Sequence, residues 1–313
     1  MMHLKKWILA LLVFIALFVI CFLFYRNTQE TATLDNNARS HAPGRFIQLR
    51  EGLVHYSLSG PDTARLLVLI HGGGSTGMEV WKYNRSWLLS KGYRVLTYDL
   101  YGRGYSDRPD ITYDLALYRR QLTALLDTLH IRGSFDIIAM SMGAAIGMDY
   151  AGLHPEQVDH VVLLDPAASG DLQPNKLLYV PGLSDLMMSG YWYPRSIEKQ
   201  RKEFVNQPLF NDYAKRLAYF MNFKGYKRLT LSTWMNMLSK NQLYLLKNIP
   251  PNRIMLLYGR QDPFFPPEKL DGYRLLYPSL LAHEINNAGH MPHYEQPDVV
   301  NPLMYDYLTN NMK

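Results

Sequence analysis

Short apolar runs that alternate with helical patterns constrain the fold of this chain more than any other feature of its sequence. Five runs are apolar almost throughout, and they cover residues 65–70, 93–98, 135–139, 161–164 and 254–258. Apolar residues recur at helical spacing between these runs, over residues 81–91, 118–129, 144–153 and 267–277. A strand without polar positions is covered on both faces. The alternation therefore predicts an α/β fold, with a mostly parallel central sheet and helices on both faces.

One long stretch interrupts the alternation. Residues 169–246 carry helical patterns rich in Tyr, Trp, Met and Leu but no run typical of a strand. Because a long insertion at a loop costs little closure entropy, we interpret this stretch as a helical cap, inserted into a core formed by residues 45–168 and 247–313. A hairpin over residues 46–57 is expected ahead of the parallel strands.

An uncharged apolar run precedes the globular part. It extends from Trp7 to Tyr25, and its roughly 19 residues, at about 1.5 Å each, are enough to cross a hydrocarbon core of roughly 30 Å. A cleavable signal peptide would have a shorter apolar region that ends in small residues, and bulky Phe22 and Phe24 occupy that place. We interpret residues 7–25 as an uncleaved transmembrane helix that acts as a signal anchor.

The charges around this run set the expected orientation in a membrane. Lys5 and Lys6 precede the run and Arg26 comes after it, and this bias favours a cytoplasmic N-terminus. The globular part would then lie in the periplasm, outside the cell or in an organelle lumen. In this interpretation residues 1–6 form a short tail and residues 26–44 a polar linker.

The basic character of the chain, with a net charge of +6 and a pI near 9.1, raises the question of a nucleic-acid partner. The densest basic stretches, residues 199–202 and 224–228, are flanked or interrupted by Glu and Tyr and lack the clustering of a nucleic-acid surface. We interpret them as solvated faces, with a weak attraction to anionic lipid headgroups as the alternative. The single cysteine, Cys21, lies within the apolar run and is interpreted as membrane filler.

A sharp turn that carries a serine is predicted at the end of the third apolar run. The sequence Ala139-Met140-Ser141-Met142-Gly143 lies where a strand ends and a helix begins, and its small residues permit a tight turn. Such a turn exposes the Ser141 hydroxyl at the carboxyl edge of the sheet and leaves the Met142 N–H at a helix N-terminus. Ser141 is therefore the candidate nucleophile, and Met142 is a candidate oxyanion donor.

A glycine-rich loop comes after the first apolar run. His71-Gly72-Gly73-Gly74 is directly next to the predicted strand, and glycines let backbone N–H groups approach a substrate carbonyl closely. Gly73 is the expected second oxyanion donor, with Gly74 as the runner-up. The alternative is a plain flexible turn without a catalytic role.

A serine nucleophile requires a histidine base that is oriented by a carboxylate. Asp262 comes after the fifth apolar run, and His290 comes after the last short strand. With Ser141 they give the chain order Ser, Asp, His and form the candidate catalytic triad. His293 is the alternative base, and Asp165, located after the fourth run, is the alternative acid.

These motifs resemble the α/β-hydrolase superfamily, in the branch of esterases, lipases and meta-cleavage hydrolases with a helical cap. The resemblance covers residues 45–310 and includes Asp99-Leu100-Tyr101-Gly102-Arg103-Gly104-Tyr105-Ser106, which is similar to the D-x-x-G-x-G-x-S segment of that superfamily. The role of that segment is structural, so the resemblance implies no chemistry for Asp99, Arg103 or Ser106. The mechanism expected of such a triad requires no metal and no organic cofactor.

Departures from the superfamily's patterns separate the reaction types. The usual G-x-S-x-G begins here with Ala139. Dehalogenases and epoxide hydrolases of this fold use an aspartate nucleophile, so Ser141 argues against both. Meta-cleavage C–C hydrolases commonly carry Trp after the catalytic histidine, where this chain has Met291, and prolyl peptidases commonly carry Pro in place of Gly74.

Hydrolysis of a carboxylic ester, either a small molecule or a lipid-derived one, is therefore the expected reaction. The alternatives are a C–C bond hydrolase of the meta-cleavage type, an acyltransferase, and a non-catalytic receptor on the same scaffold. Apolar cap residues are expected to line an acyl pocket, and the candidates are Leu178, Met187, Met188, Tyr191 and Trp192. The alternative is that they only form the face on which the cap packs.

Overall fold

A single sheet organises the structure. The computed structural model describes residues 2–170, 172–180 and 182–310. The strands within these residues are β1 Arg45–Leu49, β2 Gly52–Ser59, β3 Leu66–Ile70, β4 Arg94–Tyr98, β5 Phe135–Met140, β6 Val158–Leu164, β7 Ile254–Gly259 and β8 Leu281–Ile285. Their order across the sheet is β1-β2-β4-β3-β5-β6-β7-β8. β2 pairs antiparallel with β1 and β4, and the other neighbouring pairs are parallel.

This arrangement confirms the predicted fold class. Every residue of β3, β5 and β7 is buried, as expected when helices cover both faces of the sheet. Val68 at the centre of β3 lies opposite Leu96 of β4 and Ile137 of β5. β6 begins at Val158, before the predicted start, because Val158 already pairs with Phe135 of β5.

Helices lie on both sides of the sheet and fill the connection between β6 and β7. The helices before β6 are α1 Met2–Asn27, α2 Asn36–Arg39, α3 Lys82–Ser90, α4 Leu115–Thr128 and α5 Met142–Leu153. Those after it are α6 Leu183–Met187, α7 Tyr193–Arg201, α8 Gln207–Met221, α9 Tyr226–Thr233, α10 Lys269–Leu276, α11 Pro292–Glu295 and α12 Pro297–Asn310. The helices predicted from apolar spacing correspond to α3, α4, α5 and α10.

Shorter helical turns complete the backbone. Single 3₁₀ turns occur at Gly77–Trp81, Lys176–Tyr179, Leu243–Asn248 and Pro251–Arg253, and π-helical turns at Met188–Trp192 and Trp234–Leu238. Side-chain caps fix the starts of α4 and α8. Asp114 accepts the Leu117 N–H at 2.8 Å before α4, and Asn206 accepts the Leu209 N–H at 3.1 Å before α8.

The alternation of side chains along β3 builds two cores. Val68 and Ile70 lie in the core that α4 and α5 cover. Leu67 and Leu69 lie in the core on the opposite face, which α3 and α12 cover. Burying one such side chain completely stabilises a fold by about 1.5–3 kcal/mol. The central strands therefore receive stabilisation from both sides, and the carboxyl edge of the sheet is a rigid base for a site.

Residues 169–246, in the helical connection between β6 and β7, are called the cap here. The segment after α1 lies against this cap. Gln29 Nε2 donates to the Ser189 carbonyl at 2.9 Å, and the Thr31 N–H donates to Asn222 Oδ1 at 3.1 Å. The residues predicted to be a polar linker therefore contact the cap directly.

α1 contains the whole apolar run, residues 7–25, in one helix. Its apolar side chains are exposed, and its length and composition are sufficient to cross a membrane. A signal sequence near an N-terminus has the same properties, so the anchor stays a prediction. The helix ends at Asn27, just beyond Arg26, the first charged residue after the apolar run.

A buried carboxylate at the end of β4 holds the loop next to that strand. Asp99 accepts the Met78 N–H at 2.6 Å and the Tyr105 N–H at 2.9 Å, and its Oδ2 lies 2.7 Å from His55 Nδ1. Gly104 has a φ of +50°, and a side chain there would overlap the Asp99 carboxylate. The D-x-x-G-x-G-x-S segment therefore contributes backbone support at this edge of the sheet.

Replacing Asp99 should destabilise the fold strongly. Asp99→Ala leaves buried donors without an acceptor, and we expect the free energy of unfolding to fall by about 3–5 kcal/mol. The matched change Asp62→Ala removes a carboxylate that is 88% exposed in its pair with Arg94, and it should cost less than about 1 kcal/mol. Urea unfolding of the full chain in detergent, monitored by tryptophan fluorescence, measures both losses. Equal losses would contradict the structural role of Asp99.

Candidate active site

The turn between β5 and α5 presents Ser141. This residue has a φ of +50° and a ψ of −122°, which side chains other than glycine rarely adopt. The first turn of α5 packs directly against the end of β3, because a Cβ at Gly143 would lie 2.5 Å from His71 O and 2.6 Å from Ile70 O. Glycine is therefore required at position 143. The result is a strained, tightly packed turn that holds the Ser141 hydroxyl at the carboxyl edge of the sheet.

The structure brings the candidate triad residues into contact. Ser141 Oγ lies 2.9 Å from His290 Nε2, and His290 Nδ1 lies 2.6 Å from Asp262 Oδ2. The other carboxylate oxygen of Asp262 accepts the Phe264 N–H at 2.7 Å. The three residues come after β5, β7 and β8, whose carboxyl ends lie at the same edge of the sheet. His290 is therefore bonded on both nitrogens, as a base that takes a serine proton has to be.

Opposing effects set the charge of His290 and Asp262. Burial lowers the pKa of His290, but the Asp262 carboxylate outweighs burial and raises that pKa above its ordinary value. Burial also disfavours ionisation of Asp262, yet His290 holds the pKa of this carboxyl below its ordinary value. Because His290 accepts a proton only when it is neutral, activity should increase with pH through the His290 pKa.

Asp165, the alternative acid, lies beside the triad, but His290 Nδ1 already bonds Asp262. Asp165 comes after β6 with a φ of +41°, is completely buried, and accepts the Gly259 N–H at 2.9 Å. Burial, reinforced by the neighbouring Asp262 carboxylate, raises the pKa of Asp165 well above its ordinary value. Burial therefore favours the protonated form of Asp165, and Asp262 is the carboxylate that His290 bonds.

The ligand atoms of Asp165, Asp262 and His290 lie within 4.8 Å of one another, a spacing that also suits a metal ion. Both ring nitrogens of His290 are engaged by Asp262 and Ser141, however. Because neither imidazole nitrogen is free, the group fits a hydrogen-bonded triad better than a set of metal ligands.

His293, the alternative base, belongs to the core. Its ring is completely buried, and the ring centroids of His293 and Trp81 are 4.5 Å apart. Burial, reinforced by the nearby charge of His290, lowers the pKa of His293 to about 3. His293 is therefore a neutral packing residue, and the Ser141 hydroxyl bonds His290 instead.

His71 orients the glycine-rich loop. Its Nε2 accepts the Leu100 N–H at 2.9 Å, so the proton lies on Nδ1, which donates to the Gly72 carbonyl at 2.7 Å. Burial lowers the pKa of His71 to about 4 and keeps the ring neutral. Because the peptide bond is trans, the Gly73 N–H points away from the Gly72 carbonyl. The loop lies next to the nucleophile, since a Cβ at Gly72 would lie 2.9 Å from Ser141 Cβ.

Gly73 and Met142, the residues expected to donate to the oxyanion, are neighbours in the structure. Met142 begins α5, so its N–H has no intrahelical acceptor, and a Cβ at Gly73 would lie 3.7 Å from Met142 Sδ. Arg103 Nε donates to the Gly73 carbonyl at 2.7 Å and so helps to hold the glycine-rich loop in place. The runner-up, Gly74, faces the cap, since a Cβ there would lie 2.7 Å from Tyr213 Oη. The assignment of the oxyanion hole to Gly73 and Met142 stays a prediction.

Glu295, which no sequence motif indicated, ties the cap to the loop of the candidate catalytic histidine. One carboxylate oxygen accepts the Val205 N–H at 2.8 Å and the Asn206 N–H at 2.6 Å. The other accepts the Gly289 N–H at 2.7 Å, next to His290. Glu295 and Val205 are 90 positions apart in the chain, so no local sequence pattern indicates their contact.

Glu203 approaches the same histidine from the cap. Its carbonyl accepts the His290 N–H at 2.8 Å. Burial raises the pKa of the Glu203 carboxyl to about 7, although the charge of His290 opposes this change. The Glu203 carboxylate in turn contributes to the raised pKa of His290, after the larger effect of Asp262. The cap therefore takes part in setting the protonation state of the base.

The cap residues expected at an acyl pocket occupy several environments. Met188 is buried in the wall of a cleft at the end of α1. Tyr191 is 48% exposed, and Trp192 packs on Trp234 with ring centroids 4.9 Å apart. Leu178 is buried and Met187 is half-buried. The acyl pocket stays a prediction. An aromatic ring that does contact His290 is that of Phe264, and the two ring centroids lie 5.3 Å apart.

Substituting the two neighbouring carboxyl groups should separate their roles. Asp262→Asn removes the charge that orients His290 and should lower kcat by about 10⁴-fold. Asp165→Asn keeps the side-chain shape and leaves the Asp262–His290 contact in place, so it should cost less than about tenfold, or about 1.4 kcal/mol in the barrier. Steady-state kinetics at alkaline pH measure both, with thermal unfolding as the control for folding. A loss in Asp165→Asn as large as that in Asp262→Asn would refute the assignment.

Removing the cap carboxylate should shift the pH profile of kcat/KM. A negative neighbour favours the charged imidazolium, so Glu203→Gln should lower the His290 pKa and move the acidic limb to lower pH, by about one unit or less. The matched change Glu198→Gln, at a side chain that is 67% exposed in its pair with Arg201, should leave the profile unchanged. An unchanged or upward-shifted limb in Glu203→Gln would show that the two groups do not interact.

Known proteins share this fold over most of the chain. Residues 67–303 match the alpha/beta hydrolase family. A curated 2-hydroxy-6-oxononadienedioate/2-hydroxy-6-oxononatrienedioate hydrolase from Dechloromonas aromatica (strain RCB) is 25% identical over 89% of this chain and 100% of its own length. Among solved structures, a meta-cleavage product hydrolase from Pseudomonas fluorescens IP01 has a TM-score of 0.69 at 21% identity, covering 85% of this chain and 98% of its own. A bacterial membrane phospholipase A has a TM-score of 0.70 at 21% identity and covers 99% of both chains.

The names of these relatives bear on the reaction expected from the sequence. The curated hydrolase and the meta-cleavage product hydrolase correspond to the alternative, C–C bond hydrolysis, more than to ester cleavage. The two structural likenesses, at this level of identity, show the fold alone. The family match covers most of the chain, including the strands that carry Ser141, Asp262 and His290. The chain therefore belongs to the alpha/beta hydrolase family.

Proposed function

We propose that the chain is a serine hydrolase that cleaves carboxylic esters with an apolar acyl group while α1 anchors it in a membrane. The observation that carries the proposal is the bonded series of Ser141 Oγ, His290 and Asp262, at 2.9 Å and 2.6 Å. A hydroxyl nucleophile with a base on one side and a carboxylate behind the base is the arrangement required for acyl transfer.

The reaction proceeds in two steps through an acyl-enzyme. His290 Nε2 takes the Ser141 proton while Ser141 Oγ attacks the ester carbonyl carbon, and the resulting oxyanion accepts the N–H groups of Gly73 and Met142. The protonated His290 then gives its proton to the departing alcohol. Water attacks the acyl group with His290 again as the base, which releases the carboxylic acid and restores Ser141. Each oxyanion donor lowers the barrier by about 3 kcal/mol in such a site.

A second candidate function is hydrolysis of a C–C bond next to a carbonyl group. The names of the curated relative and of the meta-cleavage product hydrolase favour it. Against it stands Met291 after His290, where hydrolases of that type commonly carry tryptophan. The same nucleophile, base and oxyanion donors serve both reactions, so the two candidates differ in the substrate that reaches Ser141.

The membrane location rests on α1. The helix offers an exposed apolar surface long enough for a bilayer, and the likeness to a membrane phospholipase A covers 99% of both chains, so it includes α1. Lys5 and Lys6 before the span favour a cytoplasmic N-terminus, with the catalytic domain on the other side. An anchored enzyme meets lipid-derived esters at high local concentration, which supports the ester proposal.

A direct comparison of substrates tests the proposal. The full chain in detergent should hydrolyse p-nitrophenyl butyrate and a lysophospholipid, and its kcat/KM on these esters should exceed that on a 2-hydroxy-6-oxodienoate. Ser141→Ala should lose on the order of 10⁶-fold in kcat on the preferred substrate. The matched change Ser239→Ala, at a serine in the cap away from the triad, should have little effect.

The outcomes separate the candidates. A preference for the dienoate that is lost in Ser141→Ala would reject the ester proposal in favour of C–C hydrolysis. Full ester turnover in Ser141→Ala would reject the triad itself. Labelling of Ser141 by a membrane-impermeant fluorophosphonate, in intact cells compared with lysed cells, reports the side of the membrane on which the domain lies.

A further inference from the structure

A cleft of about 750 Å³ opens where α1 leaves its apolar run. Its walls come from three parts of the chain: the end of α1 and the residues after it, α6 with the adjoining π-helical turn, and the start of α9. Arg26, in the wall, is the first charged residue after the apolar run. In a membrane-spanning α1, the cleft therefore lies at the level of the lipid headgroups.

Cations outnumber carboxylates around this cleft. The charged residues in its walls are Arg26, Glu30, Asp185, Lys224, Lys227 and Arg228. Arg26 pairs with Asp185 at 3.0 Å, and Lys227 pairs with Glu30 at 3.4 Å. These pairs account for both carboxylates, so the positive charges of Lys224 and Arg228 are in excess in the lining.

The two excess cations differ in their surroundings. Arg228 bonds the Asp110 carboxylate, and its Nη2 donates to the carbonyls of Arg108 at 3.0 Å and Pro109 at 3.1 Å. Lys224 is exposed, and among the described residues its ammonium group makes no hydrogen bond or ion pair. Its backbone is fixed, because the Lys224 N–H donates to the Ala32 carbonyl at 2.9 Å. The cleft therefore presents one unpaired ammonium group on a defined backbone.

The floor of the cleft is an ordered polar network. The Lys227 side chain is 9% exposed, and its ammonium group donates to Gln29 Oε1 at 3.1 Å and Ser189 Oγ at 2.9 Å. The Lys227 N–H also donates to Glu30 Oε1 at 2.9 Å. These bonds join the segment after α1 to the cap on both sides of the cleft. The cavity is therefore part of the folded structure and not a gap between mobile segments.

We propose that this cleft binds the phosphate of an anionic phospholipid headgroup, with Lys224 as the cation that contacts it. The proposal rests on the membrane anchoring by α1 that was proposed above. A phosphodiester brings one negative charge and several acceptor oxygens, which match the excess positive charge and the unpaired ammonium. A zwitterionic headgroup adds a quaternary ammonium group that the unpaired Lys224 ammonium would repel. The site should therefore prefer phosphatidylglycerol to phosphatidylcholine.

Binding by the full chain tests the proposal. The Ser141→Ala chain, which cannot consume the lipid, is held in uncharged maltoside micelles and titrated with dihexanoyl phosphatidylglycerol, dihexanoyl phosphatidylcholine or inorganic phosphate. The thermal midpoint reports binding, because a ligand of the native state raises it. Phosphatidylglycerol should raise the midpoint at concentrations at least about fivefold lower than phosphatidylcholine.

Substitutions at the cleft identify the site. Lys224→Glu should weaken phosphatidylglycerol binding by about tenfold or more, since a charge reversal equals the loss of about two cations, each worth about fivefold. Lys224→Arg should retain binding within about twofold. The control Lys247→Glu changes an exposed lysine outside the cleft in the same way and should leave binding unchanged.

Three results would overturn the proposal: equal affinity for the two lipids, an unchanged affinity in Lys224→Glu, or the same stabilisation by inorganic phosphate alone. The last result would identify a phosphate site and not a lipid site. Turnover of p-nitrophenyl butyrate by the unsubstituted chain is measured in the same micelles. Lost lipid preference with retained ester turnover rejects the headgroup site only, whereas absent turnover with retained lipid preference rejects the proposed reaction only.

Discussion

The close packing of α5 against the carboxyl ends of β3 and β5 is the constraint on which the active site depends. Gly143 allows the helix to approach the Ile70 carbonyl, and this approach forces Ser141 to a φ of +50°. Such a backbone conformation costs about 1–3 kcal/mol and persists only where its surroundings fix it. Here the Ser141 N–H donates to the Leu164 carbonyl at 2.8 Å, and the Ser141 carbonyl accepts the Ala167 N–H at 3.0 Å. The buried central strands supply the rigidity that holds the nucleophile in place.

Residues at the carboxyl ends of the parallel strands could be located from the sequence, because they share one edge of the sheet. Ser141, Asp262 and His290 could be found in this way, and the apolar strands were recognisable because both faces are covered. The residues that support the triad could not be located in this way. Glu295 bonds Val205, 90 positions away, and the raised pKa of Asp165 results from burial, which depends on the packed structure. Long-range contacts and desolvation are properties of the tertiary fold and leave no periodic signal in the chain.

The choice between ester and C–C bond cleavage lies outside the triad. Both reactions use a serine, a histidine base and two N–H donors, so these groups carry no information on the substrate. The side chains around the candidate triad come from the loops and the cap, where Tyr213 approaches Gly74 and Phe264 packs on the ring of His290. The fold therefore accounts for the arrangement of the candidate triad, whereas the choice between the two proposed substrates depends on the side chains that cover it.

The bonds of Glu295 make the position of the cap and the alignment of His290 thermodynamically linked quantities. A cap displaced from Val205 and Asn206 would leave the carboxylate free to turn away from Gly289, and a misaligned histidine loop would in turn weaken the hold on the cap. Such coupling is reciprocal by necessity. Whatever orders the cap, whether a bound acyl chain or the neighbouring end of α1, thereby also orders the base. Under the proposed function, binding of the acyl group and proton transfer by His290 would therefore depend on the same contacts.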